Sequence, residues 1–315
     1  MEIDLAVAWE WPYDAGFVER VAGKAANRGL RVLPITPDNL TSALEDLSAG
    51  RLRLRSVLDR ASDARPEFLP LTRHAEGTGA RVLNPIHHQD RACDKARNHL
   101  LLAANGIPVP FTVIVPPFIR DPSPPVLPAA LGRPFIVKPA GGSGSEGVIL
   151  DAQTVSDVQN ARRTFWRDRY LLQQRVYPRQ LEGRRAWFRV FYVCESVIPC
   201  WWDDLSHTYA PLLPDEEVRL GLTGLRPLAR RIGELMGLDF FTTEIVLGCD
   251  GRLLCVDYAN SPCDMRLQSQ HYDGVPDAVV DQVVDAILET VAGACEPAPA
   301  AEESYSPAFA PHRRQ

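Results

Sequence analysis

Residues 134–148 read Pro134-Phe135-Ile136-Val137-Lys138-Pro139-Ala140-Gly141-Gly142-Ser143-Gly144-Ser145-Glu146-Gly147-Val148, and the reading of this stretch decides the fold. Its second half spells G-x-G-x-x-G, formally the fingerprint of a dinucleotide turn. Such a turn needs a strand before it and a helix after it, because the pyrophosphate rests on the helix N-terminus. Phe135-Ile136-Val137 reads as a strand, but the residues after the last glycine, Val148-Ile149-Leu150, are apolar, largely β-branched and few. The loop therefore joins two strands. A Walker A loop would end in Gly-Lys-Ser/Thr, and a protein kinase would place its lysine beyond the loop and carry H-R-D and D-F-G motifs; none of these is present. What remains is a glycine flap in a hairpin with Lys138 at the end of its first strand. Backbone N–H groups without Cβ hindrance, the hydroxyls of Ser143 and Ser145 and one ammonium suit phosphate oxygens. An ordinary hairpin loop with no ligand is the competing reading.

The basic residues add weight to Lys138. Of 34 Lys and Arg residues, only Lys24, Lys95 and Lys138 are lysines, and a lysine kept amid such a bias points to a place where a compact ammonium is needed rather than a planar guanidinium. With 315 residues and 45% hydrophobic content the chain can form two or three packed units. A net charge of −6 and no long basic run leave no footprint for DNA or RNA, so no nucleic-acid partner is expected. The opening, Met1 to Trp11, has an acidic start and an apolar run broken by Glu10, which fits neither a signal peptide nor a membrane span. A cytoplasmic protein with no membrane partner is the expectation. The cysteines, Cys93, Cys194, Cys200, Cys249, Cys255, Cys263 and Cys295, show no C-x-x-C pairing and read as buried free thiols.

Along the chain, residues 1–88 alternate strand and helix periods and predict an α/β domain with a parallel sheet. Strands are expected at 3–9, 31–35, 52–58 and 81–84, with helices at 16–27, 39–47 and 66–77. One helix is expected over 90–105, ended by Gly106 and Pro108, and a strand over 110–115. The proline-rich stretch 116–128 reads as a semi-rigid connection. Beyond it come strands around the flap, a helix near 156–169, strands at 170–176 and 186–202, and one helix over 215–236. Residues 296–315, rich in Ala, Pro, Glu and Ser, read as a disordered tail.

A second stretch, Thr242-Thr243-Glu244-Ile245-Val246-Leu247-Gly248-Cys249-Asp250-Gly251-Arg252-Leu253-Leu254-Cys255-Val256-Asp257, reads as a hairpin around Asp250-Gly251 with a two-residue type I′ loop. Counting outward, Leu247 faces Leu254, Ile245 faces Val256, and Glu244 faces Asp257. Directly opposed like charges destabilise a pair, unless one is protonated or a cation lies between them. Two hard oxygen groups suit Mg²⁺, which needs only a carboxylate or two beside substrate phosphates. A solvent-facing acidic pair is the competing reading.

Asp94-Lys95, followed by 102–112 (Leu-Ala-Ala-Asn-Gly-Ile-Pro-Val-Pro-Phe-Thr) and then by the flap, resembles the ATP-grasp superfamily of carboxylate–amine ligases and is similar to its glutathione synthetase and ribosomal-protein glutamate ligase branch. The resemblance covers roughly residues 90–290. It implies an α/β and α+β protein: a pre-ATP-grasp domain at 1–88, then a two-lobed ATP-grasp domain at 89–295, divided near 170. Lys95, Lys138 and the flap residues Gly142, Ser143, Gly144 and Ser145 would hold ATP phosphates. Backbone groups near Gln174 and Val176 would read adenine, although the family's usual acid is Gln174 here. Arg189 and Lys138 would act on the transferred group, with Trp187 standing where an acid is common. Glu244, Asp257 and Asn260 would hold Mg²⁺, two ions in the family, with Mn²⁺ an alternative. The substrates implied are a small-molecule or peptide carboxylate and an amine, joined through an acyl phosphate; a homodimer is an assembly open to it. A small-molecule kinase and a non-catalytic ATP-binding module are the alternatives.

Overall fold

The computed structural model describes residues 1–141 and 146–293. The readings made for Gly142, Ser143, Gly144, Ser145, Cys295 and the tail lie outside them.

The first part contains β1 (Glu2–Ile3), β2 (Leu5–Ala8), α1 (Ala15–Asn27), β3 (Val32–Ile35), α2 (Leu40–Ser48), β4 (Arg53–Leu54), β5 (Ser56–Asp59), α3 (Leu69–Gly77) and β6 (Arg81–Leu83). Four of the strands form a parallel sheet in the order β3-β2-β5-β6, and β1 pairs with β4. All of Leu5-Ala6-Val7-Ala8 is buried, as a strand covered on both faces requires. Its period of two divides the core. Leu5 and Val7 pack with Phe17 and Val21 of α1, while Ala6 and Ala8 pack with Leu40, Leu47 and Leu71 of α2 and α3.

The single helix expected over 90–105 is two helices, α4 (Ile86–Ala92) and α5 (Lys95–Ala104). Asp94 has extended backbone and its side chain accepts from the Arg97 N–H, so it caps α5 rather than lying within a longer helix. Lys95 thereby becomes the first helical residue.

A four-stranded antiparallel sheet follows, in the order β7-β10-β8-β9, from β7 (Thr112–Val115), β8 (Phe135–Pro139), β9 (Ile149–Ala152) and β10 (Tyr170–Gln174), with α6 (Val155–Thr164) on one face. Thr154 and Asp157 close a capping box at the start of α6. Tyr170–Gln174 is an inner strand of this sheet, so the sheet continues past residue 170, where the sequence reading divided the lobes. The rest of the chain comprises a small hairpin, β11 (Gln180–Leu181) and β12 (Arg184–Arg185), then β13 (Trp187–Val193), β14 (Ser196–Asp203), β15 (Thr208–Pro211), α7 (Pro214–Arg219), α8 (Leu225–Met236), β16 (Phe240–Leu247), β17 (Leu253–Asn260) and α9 (Asp277–Gly293). Its five-stranded sheet has the order β15-β14-β13-β16-β17. The helix expected over 215–236 is broken into α7 and α8, because Gly221 takes a left-handed φ of 69°.

The first part of the chain and the last share one core: Phe17 and Val21 of α1 pack in the same cluster as Phe191 and Val193 of β13 and Val280 and Val284 of α9. The four-stranded sheet keeps its own cluster around Phe135, Val137, Val158 and Tyr170. No helix among the described residues is long and apolar enough to cross a membrane. Of the cysteines read as buried, Cys200, Cys255 and Cys263 are, but Cys93 and Cys249 are exposed.

Candidate active site

Lys138 is the fourth residue of β8 and pairs across the sheet with Leu171. Its side chain is buried, donates to the Val256 carbonyl at 2.9 Å and lies 5.4 Å from the Tyr258 ring centre. Burial lowers its pKa from the ordinary lysine value; Asp257 opposes the shift and Lys95 adds to it. Lys95 arrives from the other side. Its backbone N–H donates to the Ala140 carbonyl at 2.8 Å, so the first turn of α5 is tied to the strand end just beyond Lys138.

Across from the lysines, β16 and β17 present the acids. Glu244 and Asp257 are paired residues, as the sequence count gave, but by a different route. The loop closes between the Gly248 N–H and the Arg252 carbonyl at 2.9 Å, leaving three residues in the turn and Gly251 at a φ of 80°. Leu247 therefore faces Leu253 and Ile245 faces Cys255, one place off the expected register. A bulge at Val256 takes up the extra residue and restores Glu244 opposite Asp257. Asn260, at the end of β17, pairs with Thr242.

Glu244 is held by two donors on β13. Arg189 Nη2 meets Oε1 at 2.9 Å and Trp187 Nε1 meets Oε2 at 3.0 Å. Burial pushes the Glu244 carboxyl above the usual carboxylate range, with Arg189 opposing and Asp257 adding to the rise. For Arg189, burial works against the charge, but Glu244 and Tyr209 more than offset it and the guanidinium is held more firmly protonated. Its plane lies 4.4 Å from the Trp202 ring centre and Nη1 donates to the Tyr209 hydroxyl at 3.1 Å.

Lys95, Lys138, Glu244, Asp257 and Asn260 all line one cleft of about 440 Å³ between the two antiparallel sheets. Arg189 is not among its lining residues; the structure places it behind Glu244. Gln174 is exposed and its N–H is engaged by the Phe111 carbonyl at 2.8 Å, and Val176 is half-buried. The neighbour Gln173 lines the cleft instead, and its Nε2 donates to the Tyr258 hydroxyl at 2.9 Å. Gln173, Trp187 and Tyr258 were not singled out from the sequence as site residues. The period of two in β10, which turns Gln173 and Gln174 to opposite faces, was the signal for the first. The flap begins and ends on fixed points: the Gly141 N–H donates to Asp168 Oδ2 at 2.8 Å, and Gly147 has a φ of 71° with its Cα against the Phe165 ring.

Among the described residues no three His, Cys, Asp or Glu side chains gather as a metal cage. The donor set here is two carboxylates and an amide oxygen on neighbouring strands. That fits an ion of the Mg²⁺ type, which takes its remaining ligands from phosphate and water, and does not fit a tetrahedral zinc centre. Lys95 and Lys138 line the same cleft, with the Lys138 ammonium against the Val256 carbonyl beside Asp257, so the residues present would suit a polyanion carrying a divalent cation.

No protein-family model matches the chain, and no curated protein matches it in sequence. Solved structures do match over nearly the whole length. The ATP-grasp ligase PsnB, complexed with a minimal precursor, Mg and ADP, is 16% identical with a TM-score of 0.63, covering 92% of this chain and 98% of that one. The RimK domain protein ATP-grasp from Sphaerobacter thermophilus is 20% identical with a TM-score of 0.59, covering 90% and 99%. The D-alanine–D-alanine ligase from Bacillus anthracis, complexed with ATP, is 13% identical with a TM-score of 0.61, covering 93% and 98%. At these identities the likeness is one of architecture, and it says that this chain has the ATP-grasp fold.

Proposed function

We propose that the chain is an ATP-dependent carboxylate–amine ligase, which forms an amide through an acyl phosphate and releases ADP and phosphate. The observation that carries this reading is the meeting of Lys95, Lys138, Glu244, Asp257 and Asn260 in one cleft between two antiparallel sheets. Among the structures it resembles are a ligase solved with Mg and ADP and a ligase solved with ATP, which supports the same chemistry.

In this reading Lys95 and Lys138 hold the phosphates of ATP, together with the flap from Gly142 to Ser145. Glu244, Asp257 and Asn260 hold Mg²⁺, two ions or Mn²⁺ in their place, and the bound metal supplies charge neutralisation on the transferring phosphoryl group. Gln173 faces the nucleotide from β10, and the backbone near Gln174 and Val176 borders the adenine. Arg189 fixes the orientation of Glu244 from behind. A substrate carboxylate oxygen attacks the γ-phosphorus, the bond to the bridging oxygen of ADP breaks, and the acyl phosphate so formed is opened by an amine. Catalysis of this kind is mostly positioning and charge stabilisation.

The test is capture of the acyl group. Pooled carboxylic acids are screened with ATP, Mg²⁺ and hydroxylamine, reading ADP release and hydroxamate together. A ligase yields a hydroxamate with ADP and free phosphate. A stable phosphate ester with no hydroxamate would identify a kinase instead, and no acid-dependent turnover would leave a binding module.

A further inference from the structure

Beside the cleft lies a second cavity of about 250 Å³ at the carboxyl ends of β5 and β6. Asp59 ends β5, Ser62 and Asp63 follow in the next turn, Asp90 stands on α4, and all four line it. Asp63 and Cys93 border both spaces, so the cavity is a neighbour of the cleft that Asp257 and Asn260 line. Small ligands gather at the carboxyl ends of parallel strands in such sheets.

The chemistry of the lining is one-sided. Asp59 is engaged within its own turn: Oδ1 accepts from the Ala61 and Ser62 N–H groups at 3.1 and 3.0 Å, and Oδ2 from the Thr72 hydroxyl at 2.8 Å. Arg60, the nearest cation in sequence, is turned away and locked to Asp14 through Nε and Nη2 at 2.9 and 2.7 Å. The Ser62 hydroxyl oxygen is buried and has no protein partner, which is costly unless a ligand supplies one. Asp63 is exposed over its surface as a whole, yet burial of its carboxyl raises its pKa above the usual range; the Ala64 N–H opposes the shift and Asp59 adds to it.

We infer that this cavity takes the ammonium group of the amine substrate, a small primary amine, with Asp63 and Asp90 as counter-charges and the Ser62 hydroxyl as a hydrogen-bonding partner. A carboxylate substrate would be repelled here. The inference rests on the ligase reading. In the ligation step the ammonium gives one proton to Asp63. The freed nitrogen lone pair forms the C–N bond at the acyl carbon, and the bond from that carbon to the phosphate oxygen breaks with its electrons leaving on phosphate. The second proton departs from the amide nitrogen to water.

The probe pair is glycinamide and glycolamide, alike in size and differing in ammonium against hydroxyl, titrated by calorimetry into the full chain with Mg²⁺ and a non-hydrolysable ATP analogue. Glycinamide binds saturably and glycolamide does not. Asp63→Asn and Asp90→Asn each weaken glycinamide about tenfold, the scale of one lost charge-assisted hydrogen bond, and leave analogue affinity and melting temperature unchanged. Equal binding of the two probes, no binding of glycinamide, or wild-type affinity in both variants overturns the assignment. Failure of the wild-type chain to bind the analogue, or to form any hydroxamate, removes the ligase reading itself.

Discussion

Arg189 and Glu244 stand opposite each other on β13 and β16, and their charged groups meet at 2.9 Å with side chains 12% and 15% exposed. Trp187, two residues earlier on the same strand, takes the other carboxylate oxygen at 3.0 Å. The orientation of one acid is thus set by a neighbouring strand. Breaking a buried pair by removing one partner typically costs about 3–5 kcal/mol. Arg189→Met is therefore expected to lower stability by about 3 kcal/mol and to weaken Mn²⁺ binding, read by paramagnetic resonance, while nucleotide affinity without metal changes little. Wild-type Mn²⁺ affinity in that variant would return Arg189 to a direct phosphate role.

Lys138→Ala tests the lysines of the same cleft. The ammonium contributes its bond to the Val256 carbonyl but is buried at a desolvation cost, so the fold should persist with small change in melting. Nucleotide affinity should fall by about tenfold or more, the scale of a lost charge-assisted contact. Lys138→Arg should also be impaired, because a planar fork cannot take the place of a point charge at a strand end. Calorimetric titration decides it; unchanged affinity in both variants removes the phosphate assignment.

The parallel sheet was legible because its signals are local. Buried runs such as Leu5-Ala6-Val7-Ala8 alternate with helices of plain apolar spacing. The Glu244–Asp257 pairing was legible only by cancellation: the turn holds one residue more than the type I′ rule assigns, and the Val256 bulge compensates. Bulges answer to tertiary packing and leave little trace in a single sequence. The break between α4 and α5 was readable only in part: Asp94 is a favoured N-cap residue type, yet no Glu or Gln stands three residues on to complete a capping box and the helical spacing ran through it. Trp187 read as a departure because an acid was expected there; its indole N–H serves Glu244 instead.

Proton release should accompany metal binding. Burial raises the folded pKa of Glu244 above its unfolded value, so its contribution to the stability of the metal-free protein is present below the unfolded pKa and lost as pH rises through the folded one. A divalent ion must displace that proton. Titrations with Mn²⁺ in buffers of different ionisation enthalpy should show proton release on the acid side of the Glu244 titration, fading as pH rises past it. Asp257→Asn should lower that titration, stabilise the metal-free protein by about 0.5 kcal/mol, and abolish turnover. A variant with near-normal turnover would sink the metal assignment.

The last prediction concerns the attachment of α1 to α9. Arg20 and Lys24 of α1 and Arg28, the residue that caps its C-terminus, lie four apart and face Asp277, Asp281 and Asp285, four apart on α9. Asp281 and Asp285 each serve two cations: Asp281 takes Arg20 at 2.8 Å and Lys24 at 3.4 Å, and Asp285 takes Lys24 at 2.8 Å and Arg28 at 2.7 Å. Each group is about one-third exposed, so solvent screening holds any single pair to less than about 1 kcal/mol. A shared acid serves two pairs at once. Asp281→Asn should therefore cost about 1 kcal/mol at low salt, more than a single pair would, and most of that difference should vanish near 1 M salt, where the screening length falls to about 3 Å. The same ladder predicts an acid limb. For Asp277, burial works against the charge, but the Ser269 N–H and hydroxyl and Arg20 outweigh it and lower the pKa. A folded pKa below the unfolded one gives stability that is present above the unfolded value and lost as pH falls through the folded one. Thermal melts of the wild type and Asp281→Asn at low and high salt check the ladder; a salt-independent difference would show that the contacts pack the helices without acting through charge.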